Sequence, residues 1–256
     1  QFADVNLTEE KLVREKVTDT ENLQGYALFN HLFFARHRRI ITKPMQSKIA
    51  FITGFALAIW GILFFKPDLR ALVYDNIFSI SPPLIFVMYL LSTGEKFSRA
   101  LFFNCDRYML KERYYKDKEA LLTNFTERLK KSTILNLMPA TAVAILLLGV
   151  GIIIGMGRDI TRLLPLVVTI FSLALFFSTH YLFLYYMFQP YTVDLDKKSP
   201  FYTLANLLVL IIVYGSIHIK SSSTVFTLIV ILFTLGYTGA AIFLTYNLAP
   251  KTFKLR

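Results

Sequence analysis

EKFSRALFFNCDRYMLKERYYKDKEALLTNFTERLKKS, residues 95–132, is the one long polar stretch between hydrophobic segments of this 256-residue chain. It carries ten Lys/Arg against six acids. Two apolar segments precede it and four follow, so the stretch belongs at one face of a membrane. Leu122, Phe125 and Leu129 recur at helical spacing and stripe one face. Upstream, Arg107 to Lys118 crowds Tyr108, Met109, Leu110, Tyr114 and Tyr115 among charges. Aromatic and arginine side chains set among exposed charges are the types that anchor protein interfaces. The plain alternative is a solvated loop.

Outward from this stretch, the composition is 55% hydrophobic, with 24 Phe and 14 Tyr. A helix that crosses a bilayer needs roughly 20 mostly apolar residues, and several such windows occur. The pattern predicts an all-α polytopic membrane protein with six spans, near residues 49–65, 71–92, 133–156, 163–188, 201–219 and 224–248. Residues 1–48 form a polar N-terminal region, 49–248 the six-helix domain, and 249–256 a tail. Asn6 and Glu9 resemble a capping box. Leu23, Tyr26, Phe29 and Phe33 then share a helical face ahead of Arg36, Arg38, Arg39, Lys43 and Lys48, the pattern of a helix lying in the headgroup layer. The other reading of that face is packing on the protein itself. Pro82 and Pro83 should bend or break the second span, because each removes a backbone donor and crowds the preceding turn. A start at Gln1 suggests missing N-terminal residues.

Charge sets the expected orientation. With six crossings, both termini, residues 95–132 and the loop between spans four and five share a side holding 23 Lys/Arg, against 5 on the other. Positive residues mark the cytoplasmic side. The net charge of +11 is therefore explained by membrane topology and argues for no nucleic-acid partner. Cys105 is the only cysteine, which excludes an internal disulfide or a cysteine metal cluster. No H-E-x-x-H and no G-x-x-x-x-G-K-[ST] occurs, so no metal site is expected and any ATP would bind another chain.

Within the spans, Gly151 and Gly155 make a GxxxG, extended by Gly149 and Gly157, and the whole is read as a helix-packing stripe because small residues let backbones approach. His180 and Asn206 are the polar candidates inside the bilayer, where ionisable groups are functional by default; a neutral His bonded between helices is the structural alternative. Asp75 has no acid or histidine near it in sequence to support an integral membrane enzyme acting on lipid. A non-transporting anchor or sensor partner is the third class considered.

The arrangement resembles the permease subunits of ABC-2-type exporters, which have an interfacial entry helix, six spans and a coupling helix between spans two and three. NCDRYML, RYYKD, NFTERL and NLMPA are similar to segments of bacterial peptide and bacteriocin exporter permeases. The resemblance covers residues 22–250, with one departure: a long outer loop before the last span is here only KSSS. It implies a separate ATPase that carries ATP and Mg, with no cofactor on this chain, and a second permease subunit, identical or not. It also implies export of a hydrophobic or amphipathic substrate, a peptide above others, from a bacterial plasma membrane with both termini cytoplasmic. ATPase docking would fall on Cys105, Asp106, Arg107, Tyr108, Met109, Leu110, Arg113, Tyr114 and Tyr115.

Overall fold

The computed structural model describes residues 24–112, 117–191 and 199–254, and these are helical with no strand among them. Asn6, Glu9, Leu23, Arg113, Tyr114 and Tyr115 lie outside the described residues. Helix α1 (Gly25–Arg36) meets α2 (Arg38–Phe65) at His37, whose φ/ψ of −102°/16° interrupts the helix. Helix α3 (Asp68–Asn76) runs into a 3₁₀ turn, Ile77–Ile80. The chain then turns through Ser81, Pro82 and Pro83 into α4 (Leu84–Leu91). The segments on either side of the two prolines are bent by 75°. This is the break expected of consecutive residues that lack an N–H.

After Ser92, α5 (Gly94–Leu101) passes into a π-helical turn, Phe102–Asp106, and then a single α-turn, Arg107–Met109. The polar stretch does not end where the third apolar segment begins. Helix α6 (Lys118–Ile153) joins the NFTERL region to that segment in 36 continuous residues. At 1.5 Å per residue it is about 54 Å long, well beyond the roughly 30 Å hydrocarbon core. Asp117 caps its start by accepting the Glu119 N–H at 2.9 Å. A 3₁₀ segment (Gly157–Leu163) leads to α7 (Leu164–Phe188), followed by α8 (Pro200–Ser216) and α9 (Ser223–Thr252).

Four of these helical segments are long and apolar enough to cross a membrane, or five if the pair bent at Pro82–Pro83 is one span. They define a multi-pass helical membrane protein. The segment expected at 201–219 gives only the 17-residue α8. Its buried residues are Tyr202, Val213 and Ser216, and it rests on α4 and α7. The core is built by α6, α7 and α9, with α2 laid along α6. One apolar cluster runs through the spans around Ala140, Ala144, Leu173 and Ile170. A second, at the end where α6 starts and α7 finishes, is aromatic: Phe102, Phe125, Tyr185, Tyr186, Tyr191 and Phe253.

Candidate functional site

Side chains on the buried face of α6 organise that aromatic end. Asn124, Arg128, Ser132 and Asn136 recur every four residues and all are buried. Two of them tie the polar stretch to the bundle. The side chains of Arg128 and Asp106 have 0% exposure. Arg128 Nη2 donates to Asp106 Oδ1 at 2.6 Å and Nη1 to Oδ2 at 2.7 Å, a two-pronged pair. Nη1 also donates to the Tyr186 hydroxyl (2.9 Å) and Nε to Asn30 Oδ1 (3.0 Å). The remaining Nη2 hydrogen has the Cys105 sulfur 3.8 Å away. The Tyr185 hydroxyl completes the carboxylate, donating to Asp106 Oδ2 at 2.6 Å.

The network reaches further on both sides. Asn30 Nδ2 donates to Asn124 Oδ1 at 2.6 Å and to the Tyr26 carbonyl at 2.7 Å. Phe253, just past α9, stacks on Tyr186 with centroids 4.6 Å apart. Arg128 thus joins α1, the π-turn and α7, and α9 closes over it. A buried ion pair is tolerable only when its remaining donors and lone pairs are also matched, and here they are. Cys105 and Asp106 end the π-turn and both are buried; π-helical insertions of this kind are frequent at functional sites.

A second tie lies two turns along α6. Asn136 Oδ1 accepts the Thr93 N–H (2.9 Å) and hydroxyl (2.8 Å), while its Nδ2 donates to Ser178 Oγ on α7 at 2.7 Å. The segment from Gly94 to Met109 is therefore an arm fixed at both ends to α6 and α7. Lys48 of α2 serves a different helix, donating to the carbonyls of Leu90, Leu91 and Ser92 at 3.2, 2.9 and 2.7 Å. Those are the unpaired carbonyls at the C-terminus of α4, where a cation also suits the helix dipole.

The expected docking residues divide accordingly. Cys105, Asp106 and Leu110 are buried inside the chain and offer no surface to a partner, a correction to their outward reading. Tyr108 is 64% exposed and Lys111 is exposed, with Arg107 and Met109 between the two extremes. The aromatic face of α1 turns towards the protein: Phe33 is buried and Phe34 stacks on Phe97 of α5.

The glycine stripe needs correction at every member but Gly149. Gly151 faces Leu163 of the following 3₁₀ segment, while Gly155 lies beyond the end of α6 with φ +94° and open space around it. Gly155 instead allows a left-handed helix stop, with Met156 N–H bonded to the Gly151 carbonyl at 2.9 Å and Gly155 N–H to that of Ile152 at 3.2 Å. The close helix–helix approach is made by Gly149, against the ring of Trp60 on α2, whose Nε1 donates to the Leu146 carbonyl at 3.1 Å.

His180 and Asn206 do not form one site. His180 Nδ1 lies 2.9 Å from the Tyr237 hydroxyl on α9, while Asn206 Nδ2 donates to the Tyr202 carbonyl one turn back at 2.9 Å. Among the described residues, no group of three or more His, Cys, Asp or Glu could hold a metal ion. Between α2 and α6 lies a groove of about 290 Å³, lined by Ile49, Leu57, Trp60, Met138, Ile145 and Leu146 among others. Asn30, Asn124, Arg128, Asn136, Tyr185 and Tyr186 were not singled out by hydrophobic periodicity, because their faces of α1, α6 and α7 are polar or aromatic. The four-residue spacing of Asn124, Arg128, Ser132 and Asn136 is the signal that marks the members on α6.

Compared with protein-family models, with curated proteins and with solved structures, the chain matches none.

Proposed function

We propose that this chain is the permease subunit of an ATP-driven ABC-2-type exporter, working with a separate ATPase that binds ATP and Mg and with a second permease subunit. On this reading the helical segments make six crossings with both termini in the cytoplasm of a bacterial cell, and the arm and residues 110–117 face the ATPase. The observation that carries the reading is the arm itself. Between the second and third apolar segments lies a helical body tied to α6 and α7, with Tyr108 and Lys111 exposed near its tip. An ATPase that closes on nucleotide must push on something stiff, and a segment anchored by buried hydrogen bonds supplies it. The apolar groove between α2 and α6 supports a hydrophobic or amphipathic substrate; the preference for a peptide rests on the resemblance alone.

The test is to look for an ATPase with a Walker A motif in the reading frames beside this chain's, and to co-express it, followed by purification through a tag on the permease. The expected result is a stable complex that hydrolyses ATP. Removal of an aromatic anchor commonly costs about 2 kcal/mol at an interface hot spot, roughly thirtyfold in affinity. Tyr108→Ala, and separately Tyr114→Ala with Tyr115→Ala, should therefore shed the ATPase while the permease still inserts. A permease that copurifies with no ATPase, or one whose complex is unaffected by both variants, overturns the proposal.

A further inference from the structure

We propose that the groove between α2 and α6 holds one acyl chain of an anionic phospholipid, whose headgroup is bound at the open end by Arg39 and Gln46 of α2 and Lys131 of α6. The inference requires only that the chain spans a membrane, and it stands whether or not the exporter reading does.

The groove has the chemistry and the depth for such a chain. Its lining runs from Ile49 to Trp60 on α2 and from Met138 to Leu146 on α6, and its hydroxyls are those of Thr53 and Thr141. Both hydroxyls are bonded to carbonyls of their own helices, Ile49 at 2.9 Å and Leu137 at 2.8 Å. The trough therefore asks for no polar ligand. From Ile49 to Trp60 it is about 16 Å deep at 1.5 Å per residue, close to one leaflet of a roughly 30 Å hydrocarbon core. The Trp60 indole marks its far end, laid against Gly149 and bonded to the Leu146 carbonyl.

The other end is cationic. On α2, Arg39, Gln46, Thr53 and Trp60 recur every seven residues, and on α6 so do Lys131, Met138 and Ile145. Seven residues make two helical turns to within about 20°, so each row follows one side of its helix from the groove to polar side chains. Helix α1 meets α6 through Asn30 and Asn124, and α2 meets it through Trp60 and Leu146. The helices thus run in the same direction, and both rows reach their polar members at the same end. Arg39, Gln46 and Lys131 are all exposed there. No acid offsets them: residues 22–67 and 128–158 contain no Asp or Glu, and Glu127 accepts from Lys130 at 2.6 Å. Long basic side chains lay their stems along apolar surface and hold their charge at headgroup level. Basic pockets between spans are places where anionic headgroups bind. A zwitterionic lipid would bring its own ammonium to these cations, so the charge selects an anionic one.

Trp60 is the only tryptophan and lines the groove, so its fluorescence reports the occupant. The full chain is reconstituted in phosphatidylcholine vesicles containing a small fraction of phosphatidylglycerol or phosphatidylcholine with brominated acyl chains, which quench an indole on contact. Brominated phosphatidylglycerol should quench at a lower mole fraction than brominated phosphatidylcholine. Arg39→Gln with Lys131→Gln should lose up to about thirtyfold of that preference, the equivalent of about 1 kcal/mol per cation. Lys251→Gln with Lys254→Gln, two exposed cations at and beyond the end of α9, should keep it. Thr53→Phe, which fills the trough from an exposed position, should weaken quenching by phosphatidylglycerol. Equal quenching by the two lipids overturns the proposal. So does an equal loss in the two double variants, which would mean attraction to the charged surface as a whole. Unchanged quenching in Thr53→Phe also overturns it, since the acyl chain would then lie outside the groove.

Discussion

Arg128 presents five N–H donors and no exposed surface, and each donor has an acceptor before it. Removing one partner of a buried pair strands the other, at a cost of about 3–5 kcal/mol. Asp106→Asn and Arg128→Met should each lower unfolding stability in mild detergent by that order. Arg128→Lys should recover little, because a lysine ammonium cannot make the two-pronged contact and reach Asn30 and Tyr186 at once. Tyr185→Phe removes one bond to the carboxylate and should cost about 1–3 kcal/mol. If Arg128→Lys is as stable as wild type in a denaturant titration, the fork geometry contributes nothing. At this scale the sequence was legible only in part. Asp106 and Cys105 stood out by neighbourhood, but with Arg107 and Tyr108 beside them they read as surface. Local sequence could not show that both are buried, with Asp106 paired to a residue 22 positions later.

Helix α6 shows what apolar patterning can and cannot convey about an element. Its membrane half is a plain hydrophobic run, and Phe125 and Leu129 of its polar half are buried, with Leu122 half-buried. The break at Pro82–Pro83 was equally readable, since proline acts through its own missing N–H. The glycines were readable only in part, because a small residue marks close approach only if something approaches. Gly149 meets an indole; Gly155 meets nothing and works through its φ. These roles separate in one measurement, since Trp60 is the only tryptophan. Gly149→Leu should displace the indole from α6 and shift its fluorescence. Gly155→Leu should leave the emission in place while costing about 1–2 kcal/mol for the left-handed backbone. An unshifted spectrum in Gly149→Leu would mean that the indole does not depend on that gap.

For the whole molecule, the large exposed apolar side chains fall mainly on α2, α8 and α9, as with Phe51, Ile212 and Leu232. Lipid or another subunit must cover these faces, since together they form an apolar surface far larger than a soluble monomer carries. The distribution of charge predicts which end is cytoplasmic. The native Cys105 is a poor probe of it, being buried. In a Cys105→Ala background, Asn104→Cys and Lys111→Cys should react with a membrane-permeant maleimide and resist an impermeant one in intact cells. Lys220→Cys should react with both. The opposite pattern would invert the chain in the membrane. One consequence of the Arg128 cluster concerns how the protein is made. Tyr186 is 58 residues beyond Arg128 in the chain, and Phe253 comes later still. When α6 leaves the ribosome its guanidinium already has Asn30 and Asp106, which were synthesised earlier, but not the Tyr186 hydroxyl, and Asp106 still lacks the Tyr185 hydroxyl. The order of synthesis therefore completes this end of the molecule in stages, the tyrosines arriving with α7 and the covering ring of Phe253 only after α9.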